Sequence, residues 1–376
     1  MNKETFTLEE SLYRCNKCGF CQAACVHYRS TRQEWTSARG KLRLIRGVLE
    51  GEQPLSEGYV RDMYRCFTCG ACSATCPSGV QVEDILLEAR QDLARNGRLP
   101  DALAQLTQGI KDTGNLVGEA NDRLDWTRDM DVAPPQGGKH ETVYFVGCVS
   151  SMYPDVQELP RCMVGLLERA GVDYAILGSD ENCCGYPLYI SGQEEDAREM
   201  ARANVQRVRE MGAGRLITGC PSCYRAWKEF YPKLLGEDPG VEVVHAAQWL
   251  ADADLPLNPI GTKVTYQDPC DLGRGSGLYD PPRAFLSLID GLELVEMPSA
   301  RAEALCCGWG GNMAFQDAAE SRSVSELRMA QASGTGAEQV VTACPRCKYT
   351  LNRVEDGETI PAVDIVELAW QSVSGT

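Results

Sequence analysis

The chain has 376 residues, 43% of them hydrophobic and 24% charged, an ordinary globular composition with enough length for two or three domains with cores of their own. A formal net charge of −16 argues against a nucleic-acid or anionic-membrane binder, since both need basic surface. No run reaches the ~18 apolar residues that cross a bilayer, and the start, MNKETFTLEESLYRC, has no apolar stretch of signal-peptide type. The expected location is the cytoplasm, or a membrane surface reached only through a partner subunit.

Cysteine is the outlier, at 19 residues. Without a secretory signal, so dense a set reads as metal binding rather than a disulfide framework. The only imidazoles, His27, His140 and His245, are too scattered to form ligand sets. Whatever is bound is bound by thiolate, which selects zinc or iron–sulfur over hard cations.

Residues 1–100 carry eight cysteines in two runs. CNKCGFCQAAC supplies Cys15, Cys18, Cys21 and Cys25, and CFTCGACSATCP supplies Cys66, Cys69, Cys72 and Cys76, followed by Pro77. In CxxCxxCxxxC a single turn points three thiolates inward at one cubane, and the fourth cysteine lies too far along to join them. In two-cluster ferredoxins that fourth cysteine ligates the other cluster. The expected sets are Cys15, Cys18, Cys21 and Cys76 around one [4Fe–4S] cubane, and Cys66, Cys69, Cys72 and Cys25 around a second. Structural zinc also uses CxxC pairs but has no need of four cysteines at this spacing. Val26 stands where proline usually follows the first run, which alters the local turn and not the ligands. The segment SARGKLRLIRGVLEGE between the runs has helical character, so the expected unit is an α-helical two-cluster ferredoxin domain rather than a compact βαβ one.

Residues 101–139 contain no cysteine, show a helical stretch near Ala102–Lys111 and end in APPQGGK, and are expected to be a linker. From residue 140 the chain repeats itself, with predicted units 140–258 and 259–376. TVYFVGC, ending at Cys148, matches KVTYQDPC, ending at Cys270. NCCGYP, with Cys183 and Cys184, matches LCCGWG, with Cys306 and Cys307. LITGCPSC, with Cys220 and Cys223, matches VVTACPRC, with Cys344 and Cys347. In each copy β-rich runs (VYFVG, DYAILG, RLITG; KVTY, ELVEM, QVVTA) alternate with amphipathic stretches such as EEDAREMARANVQRVREMG and AESRSVSELRMAQASG. This predicts two repeated α/β domains, each a mostly parallel sheet covered by helices, with the cysteines in loops at the carboxyl ends of the strands.

Five cysteines per repeat is more than a cubane or a structural zinc needs. A redox-active CxxC uses two and leaves the adjacent pair unexplained. A cluster with a bridging thiolate, or an iron with additional sulfur ligation, uses all five.

The repeated order C, CCG, CxxC resembles the duplicated cysteine-rich (CCG) domain in the B subunit of heterodisulfide reductase. The ferredoxin block in front makes the chain similar to the D subunit of the membrane-bound heterodisulfide reductase. TGCPSCYRAWKEFYP, VTYQDPCDLGRGSGLYDPPRAF and LVEMPSARAEALCCGWGGN carry the likeness. The architecture also resembles iron–sulfur subunits of glycolate and lactate oxidases, of which ARGKLRLIRGVLEG is reminiscent. The resemblance implies two noncubane [4Fe–4S] clusters, one held by Cys148, Cys183, Cys184, Cys220 and Cys223, the other by Cys270, Cys306, Cys307, Cys344 and Cys347. In the reductase they face each other across a disulfide, which two electrons, delivered singly through the ferredoxin domain, cleave. It implies that the doubled cysteine grips an opened cluster and occurs twice because a disulfide has two ends, with Gly185 and Gly308 giving the backbone room. It also implies a redox partner subunit, either a flavoprotein or a membrane b-type cytochrome. The alternative it offers is an electron relay for a flavin-dependent 2-hydroxy acid dehydrogenase that feeds a quinone or other carrier. Relatives often read HDPCH around the first cysteine of the second repeat; here Gln267 and Asp271 replace both histidines, so whatever part those histidines take in relatives in protonating a leaving thiolate does not carry over to this chain.

The remaining features have plainer expectations. Cys162, in PRCMVGLLERAG, is expected as a small core residue of an amphipathic helix. GRGSG at 273–277 lacks the lysine and spacing of a P-loop and is expected as a loop close to the second cluster. Arg225, Arg274, Arg346 and Lys348 flank ligands and are candidates for offsetting cluster charge or binding an anion, and Trp309 for shielding a cluster from water. No flavin or nicotinamide site is evident, so a partner has to supply or take the electrons.

Overall fold

The computed structural model describes residues 6–119, 122–355 and 359–375. Eight strands form two four-stranded parallel sheets. The first contains β1 (Thr142–Tyr144), β2 (Tyr174–Ile176), β3 (Arg215–Thr218) and β4 (Glu242–His245), in the order β2-β1-β3-β4. The second contains β5 (Lys263–Gln267), β6 (Glu293–Leu294), β7 (Gln339–Thr342) and β8 (Ala362–Asp364), in the order β6-β5-β7-β8. The matching order makes the two lobes copies of one topology. The central strands β1 and β5 are buried on both faces apart from Lys263 at the start of β5, as expected of parallel strands covered by helices on both sides.

The strands β4 and β8 have no counterpart among the β-rich runs read from the sequence. Each is a short edge strand that passes into a helix without an intervening turn. The last strand residue is itself the N-cap: His245 Nδ1 accepts from the Ala247 N–H at 3.1 Å, and Asp364 accepts from the Val366 N–H at 3.0 Å. With no turn residues to mark the boundary, EVVHAAQWL and AVDIVELAW read as continuous apolar segments.

The lobes pack on each other through helices. Helix Glu158–Arg169 of the first lies against helix Ile365–Ser374 of the second, and a Cβ on Gly165 would strike the Trp370 ring. Cys162 is buried in this shared core.

The N-terminal region is helical, with Ala38–Leu49, Glu57–Tyr64 and Val82–Arg95 around Leu42, Ile45, Met63, Ile85 and Leu93. Ser37 and Ser56 cap the first two by accepting from the Gly40 and Tyr59 N–H groups. Arg90 is fully buried and ties this region to the first lobe. It donates to the Met63, Tyr64 and Cys66 carbonyls on one side and to the Ile190 carbonyl on the other.

Residues 101–139 are packed rather than extended. They contain helix Asp101–Thr113 and bury Leu103, Ile110, Leu116, Arg123 and Trp126, the last in the core shared by the lobes. No helix among the described residues is long and apolar enough to cross a membrane.

Candidate iron–sulfur centres

All ten repeat cysteines sit beyond the carboxyl ends of strands. After β1 the chain turns through Gly147, whose φ is +80°, and Cys148 opens helix Cys148–Met152. After β3, Cys220 is the N-cap of helix Pro221–Arg225, with Cys223 in its first turn. After β7, Cys344 and Cys347 hold the same places in helix Pro345–Leu351. Each adjacent pair lies in the loop after the edge strand, ending at a left-handed glycine, Gly185 at φ +76° or Gly308 at φ +99°.

In each lobe the five thiols touch in one unbroken series. In the first it runs Cys148, Cys183, Cys184, Cys223, Cys220; in the second Cys270, Cys306, Cys307, Cys347, Cys344. The second cysteine of each pair is the hub. Bonds from Cys183 and Cys223 pull the Cys184 thiol down to about 6, and bonds from Cys306 and Cys347 pull Cys307 down to about 5. Nine of the ten are buried and Cys270 is partly so, and none is in a disulfide. The backbone crowds the set so closely that a Cβ on Gly147 would lie 3.1 Å from Cys223 Sγ.

The N-terminal cysteines gather in two cavities. One is lined by Cys15, Cys18, Cys21 and Cys76, the other by Cys25, Cys66, Cys69 and Cys72. Each cavity takes three thiols from one run and the fourth from the other. Lys41, fully buried in the second cavity, faces Cys66 and Cys25.

The donor sets fit iron–sulfur clusters. Among the described residues no three His, Cys, Asp or Glu side chains are disposed to hold a single metal ion, whereas four thiols ring each N-terminal cavity. A buried guanidinium nitrogen, Arg274 Nη2, also has no partner beside Cys69, Cys270 and Cys306.

Two junctions join sets from different parts of the chain. The Cys66 set meets the second lobe: Cys306, Phe67 and Val26 share one small core, with Cys69 packed on it, and a Cβ on Gly311 would collide with the Cys66 carbonyl. Between the lobes stands Arg346, which faces both Cys220 and Cys344. Its Nη2 donates to Asp271 at 3.0 Å. Asp271 also accepts from Tyr186 Oη at 2.7 Å, from Ser222 Oγ and from Arg225 Nη1 at 3.4 Å. Arg225 continues to Glu83 of the N-terminal region at 2.8 Å. Gln267, at the other histidine position, donates to the Leu305 carbonyl at 3.3 Å and accepts from Arg328.

One contact has no signal in the sequence. Arg123, in the segment expected as a linker, donates to Cys148 Sγ at 3.1 Å and to Glu181 Oε1 at 2.9 Å. Glu181 in turn accepts from the Val146 and Gly147 N–H groups, bracing the turn that presents Cys148. The second repeat has Ala304 at the place of Glu181, so this brace belongs to the first lobe alone.

The other singled-out residues have structural partners. His27 packs edge-on to Trp35 and Phe67, and His140 bonds Asp173 at 2.7 Å. Burial drives both His27 and His245 down to about 3, so they are neutral. Lys348 pairs with Glu367. Trp309 is buried edge-to-face against Tyr153, Phe315 and Tyr349.

Gly308 carries a sharp prediction. A Cβ there would collide with the Ser321 carbonyl and Ser325 Oγ, at a φ that side chains rarely adopt. Gly308→Ala is expected to cost about 1–3 kcal/mol in strain and to displace Cys307. Gly185→Ala meets nothing closer than 3.3 Å and is expected to cost less. Thermal midpoints of the two variants, compared side by side, check the ordering.

Residues 11–80 match the family described as a 4Fe-4S dicluster domain, and residues 142–227 and 264–352 each match the family described as a cysteine-rich domain. The D subunit of the dihydromethanophenazine:CoB–CoM heterodisulfide reductase of Methanosarcina mazei is 31% identical over 389 residues, spanning 96% of this chain and 93% of that one. Its Methanosarcina barkeri counterpart is 32% identical over 391 residues with the same shares. The EtfAB:quinone oxidoreductase of Syntrophomonas wolfei is 29% identical over 339 residues, covering 83% of this chain and 46% of its own length. A Helicobacter pylori hypothetical protein of known structure shares the fold, with a TM-score of 0.64 at 11% identity over 91% of this chain and 69% of that one. With the dicluster region, both cysteine-rich repeats and near full-length similarity to these reductase chains in place, the chain is an iron–sulfur oxidoreductase subunit and belongs to the family of the heterodisulfide reductase D subunit.

Proposed function

We propose that the chain carries single electrons inward from the Cys15 set, through the Cys66 set, to two five-thiol centres that reduce or form a disulfide. Cys15, Cys18, Cys21 and Cys76 would hold one cubane, and Cys66, Cys69, Cys72 and Cys25 the other. Each quintet would hold a noncubane [4Fe–4S] cluster. Such clusters supply one-electron steps, and a disulfide needs two, with two protons, to become two thiols. The observation that carries this reading is that both quintets are complete, identically connected and separated by one buried arginine, Arg346.

The outer end suits electron exchange with a partner subunit. Cys18 is exposed, and a cleft of about 640 Å³ beside Cys15 is walled by Leu12, Trp35, Leu42 and Leu44, with Lys17 and Arg39 at its rim. The protein's own contribution is to seat thiols, exclude water around the quintets and hold fixed cations beside them.

A second reading, a relay between a flavin-dependent 2-hydroxy acid dehydrogenase and a quinone or other carrier, is favoured by one feature. Neither residue at the histidine positions is free to deliver a proton: Asp271 is held by two guanidiniums and Gln267 by Arg328. Anaerobic protein supplied with reduced viologen separates the two. Disulfide reduction predicts two viologens oxidised per disulfide cleaved, with that turnover lost in Cys307→Ala. Electron transfer to a quinone analogue, with every low-molecular-weight disulfide inert, would establish the relay instead.

A further inference from the structure

We propose that Arg274 is the fixed charge that couples the Cys66 set to the Cys270 set, stabilising an added electron on either of them. This rests on the reading that both sets hold clusters. The glycine-rich loop at 273–277 exists to place this side chain. A Cβ on Gly275 would collide with the Asp271 carbonyl and crowd Arg225, so the loop closes tightly and sends Arg274 across the junction. There Nε donates to the Cys69 carbonyl at 2.5 Å, and Nη1 to the Ala302 and Ala304 carbonyls at 3.0 and 2.7 Å. One guanidinium thus ties backbone of the Cys66 set to the short turn and loop leading into Cys306.

Two observations point beyond a structural clamp. Nη2 is buried without any partner, although the other two nitrogens are fully used. Among the described residues no carboxylate forms an ion pair with Arg274, whereas Arg225, Arg283 and Arg346 nearby all have one. Arg274 is half-buried, but its Nη2 is shielded from water and has no counter-charge on a carboxylate, so its compensation comes from the thiolates around it. The negative groups that face it are Cys69, Cys270 and Cys306, which belong to two different sets.

The duplication supplies an independent argument. Arg274 lies four residues after Cys270, and the matching position after Cys148 is Met152. Only the lobe that touches the Cys66 set carries the arginine. Each electron added to a thiolate-held cluster increases its negative charge, so two adjacent clusters repel each other's electrons. A guanidinium between them offsets that repulsion for both.

The test uses the full chain purified without oxygen, with iron analysis and EPR-monitored redox titration of wild type, Arg274→Gln and Arg274→Lys. Arg274→Gln is expected to keep its iron and to make one-electron reduction of the two adjoining centres at least tenfold less favourable, a fall of about 59 mV each. The Cys15 centre, remote from Arg274, is expected not to move, and Arg274→Lys to restore at least half of the shift. Unmoved potentials in iron-replete Arg274→Gln, an equal shift in every centre, or lysine behaving like glutamine would overturn the proposal. If glutamine costs the protein its iron, Arg274→Lys decides alone: potentials within threefold of wild type support the role, and a tenfold loss refutes it. Wild-type protein with only about eight irons would remove the cluster reading itself, an outcome distinct from a silent Arg274.

Discussion

Cys307→Ala protein is expected to lose about four of about sixteen irons and one EPR species while its other centres persist. The reason is topological. Cys307 is the hub of its series, bonded on one side to Cys306 and on the other to Cys347. Without it the second quintet falls into two separate pairs, Cys270 with Cys306 and Cys347 with Cys344. The N-terminal sets draw on none of these residues, and the first quintet is assembled on another sheet. Cys184→Ala should do the same to the first lobe. An outer cysteine makes the control: Cys18→Ala should remove a cubane signal and leave both quintet signals. If Cys307→Ala retains all its iron, the hub assignment is wrong. If it loses every signal at once, the fold has failed and the thiols of one lobe are not an independent unit.

Much of this was legible beforehand because cysteine spacing is a covalent constraint. Three thiols at CxxCxxC face one way whatever surrounds them, and two-cluster ferredoxins send the fourth cysteine of each run to the other set, the same exchange of Cys25 and Cys76 that the linings of the two cavities show. The repeats were legible for a similar reason: a strand followed at once by a cysteine-bearing turn leaves a mark that survives duplication. The edge strands β4 and β8 left none, because their last residues serve as helix caps and no turn separates strand from helix. The charges that surround the sulfurs were the least legible. Arg123 reaches Cys148 from 25 residues upstream through a segment whose composition suggests a spacer. Arg274 was visible as a flanking residue, but its position between two sets exists only once the N-terminal region docks on the second lobe. The cysteine spacing is written locally; the cations set around the sulfurs depend on tertiary contacts.

Asp271→Ala is expected to lower the thermal midpoint well beyond measurement error, because it leaves a buried cation without its carboxylate, a loss that costs about 3–5 kcal/mol where unfolding is two-state. The two arginines around Asp271 are unequal. Arg225 keeps Glu83 at 2.8 Å and Glu229 at 3.0 Å, whereas Asp271 is the only carboxylate paired with Arg346 among the described residues. The exposed cost therefore falls on Arg346, in the middle of the interface between the lobes. Unfolding of a multidomain cluster protein is not two-state, so the measurable quantity is the thermal midpoint rather than a free energy. Pairing the change with Arg346→Met removes the stranded charge, and Asp271→Ala/Arg346→Met should recover most of the lost midpoint. The same logic fixes a redox sign. In Asp271→Ala the Arg346 guanidinium loses its carboxylate and is left facing Cys220 and Cys344, one thiol from each quintet, so its charge favours the more negative, reduced form of both centres. Their potentials should rise, opposite to the fall expected when Arg274 loses its charge, by ~59 mV for each tenfold change in equilibrium. A midpoint within a degree of wild type, or a double variant less stable than Asp271→Ala, would mean that solvent rather than Asp271 balances Arg346, and that the space between the quintets is wet.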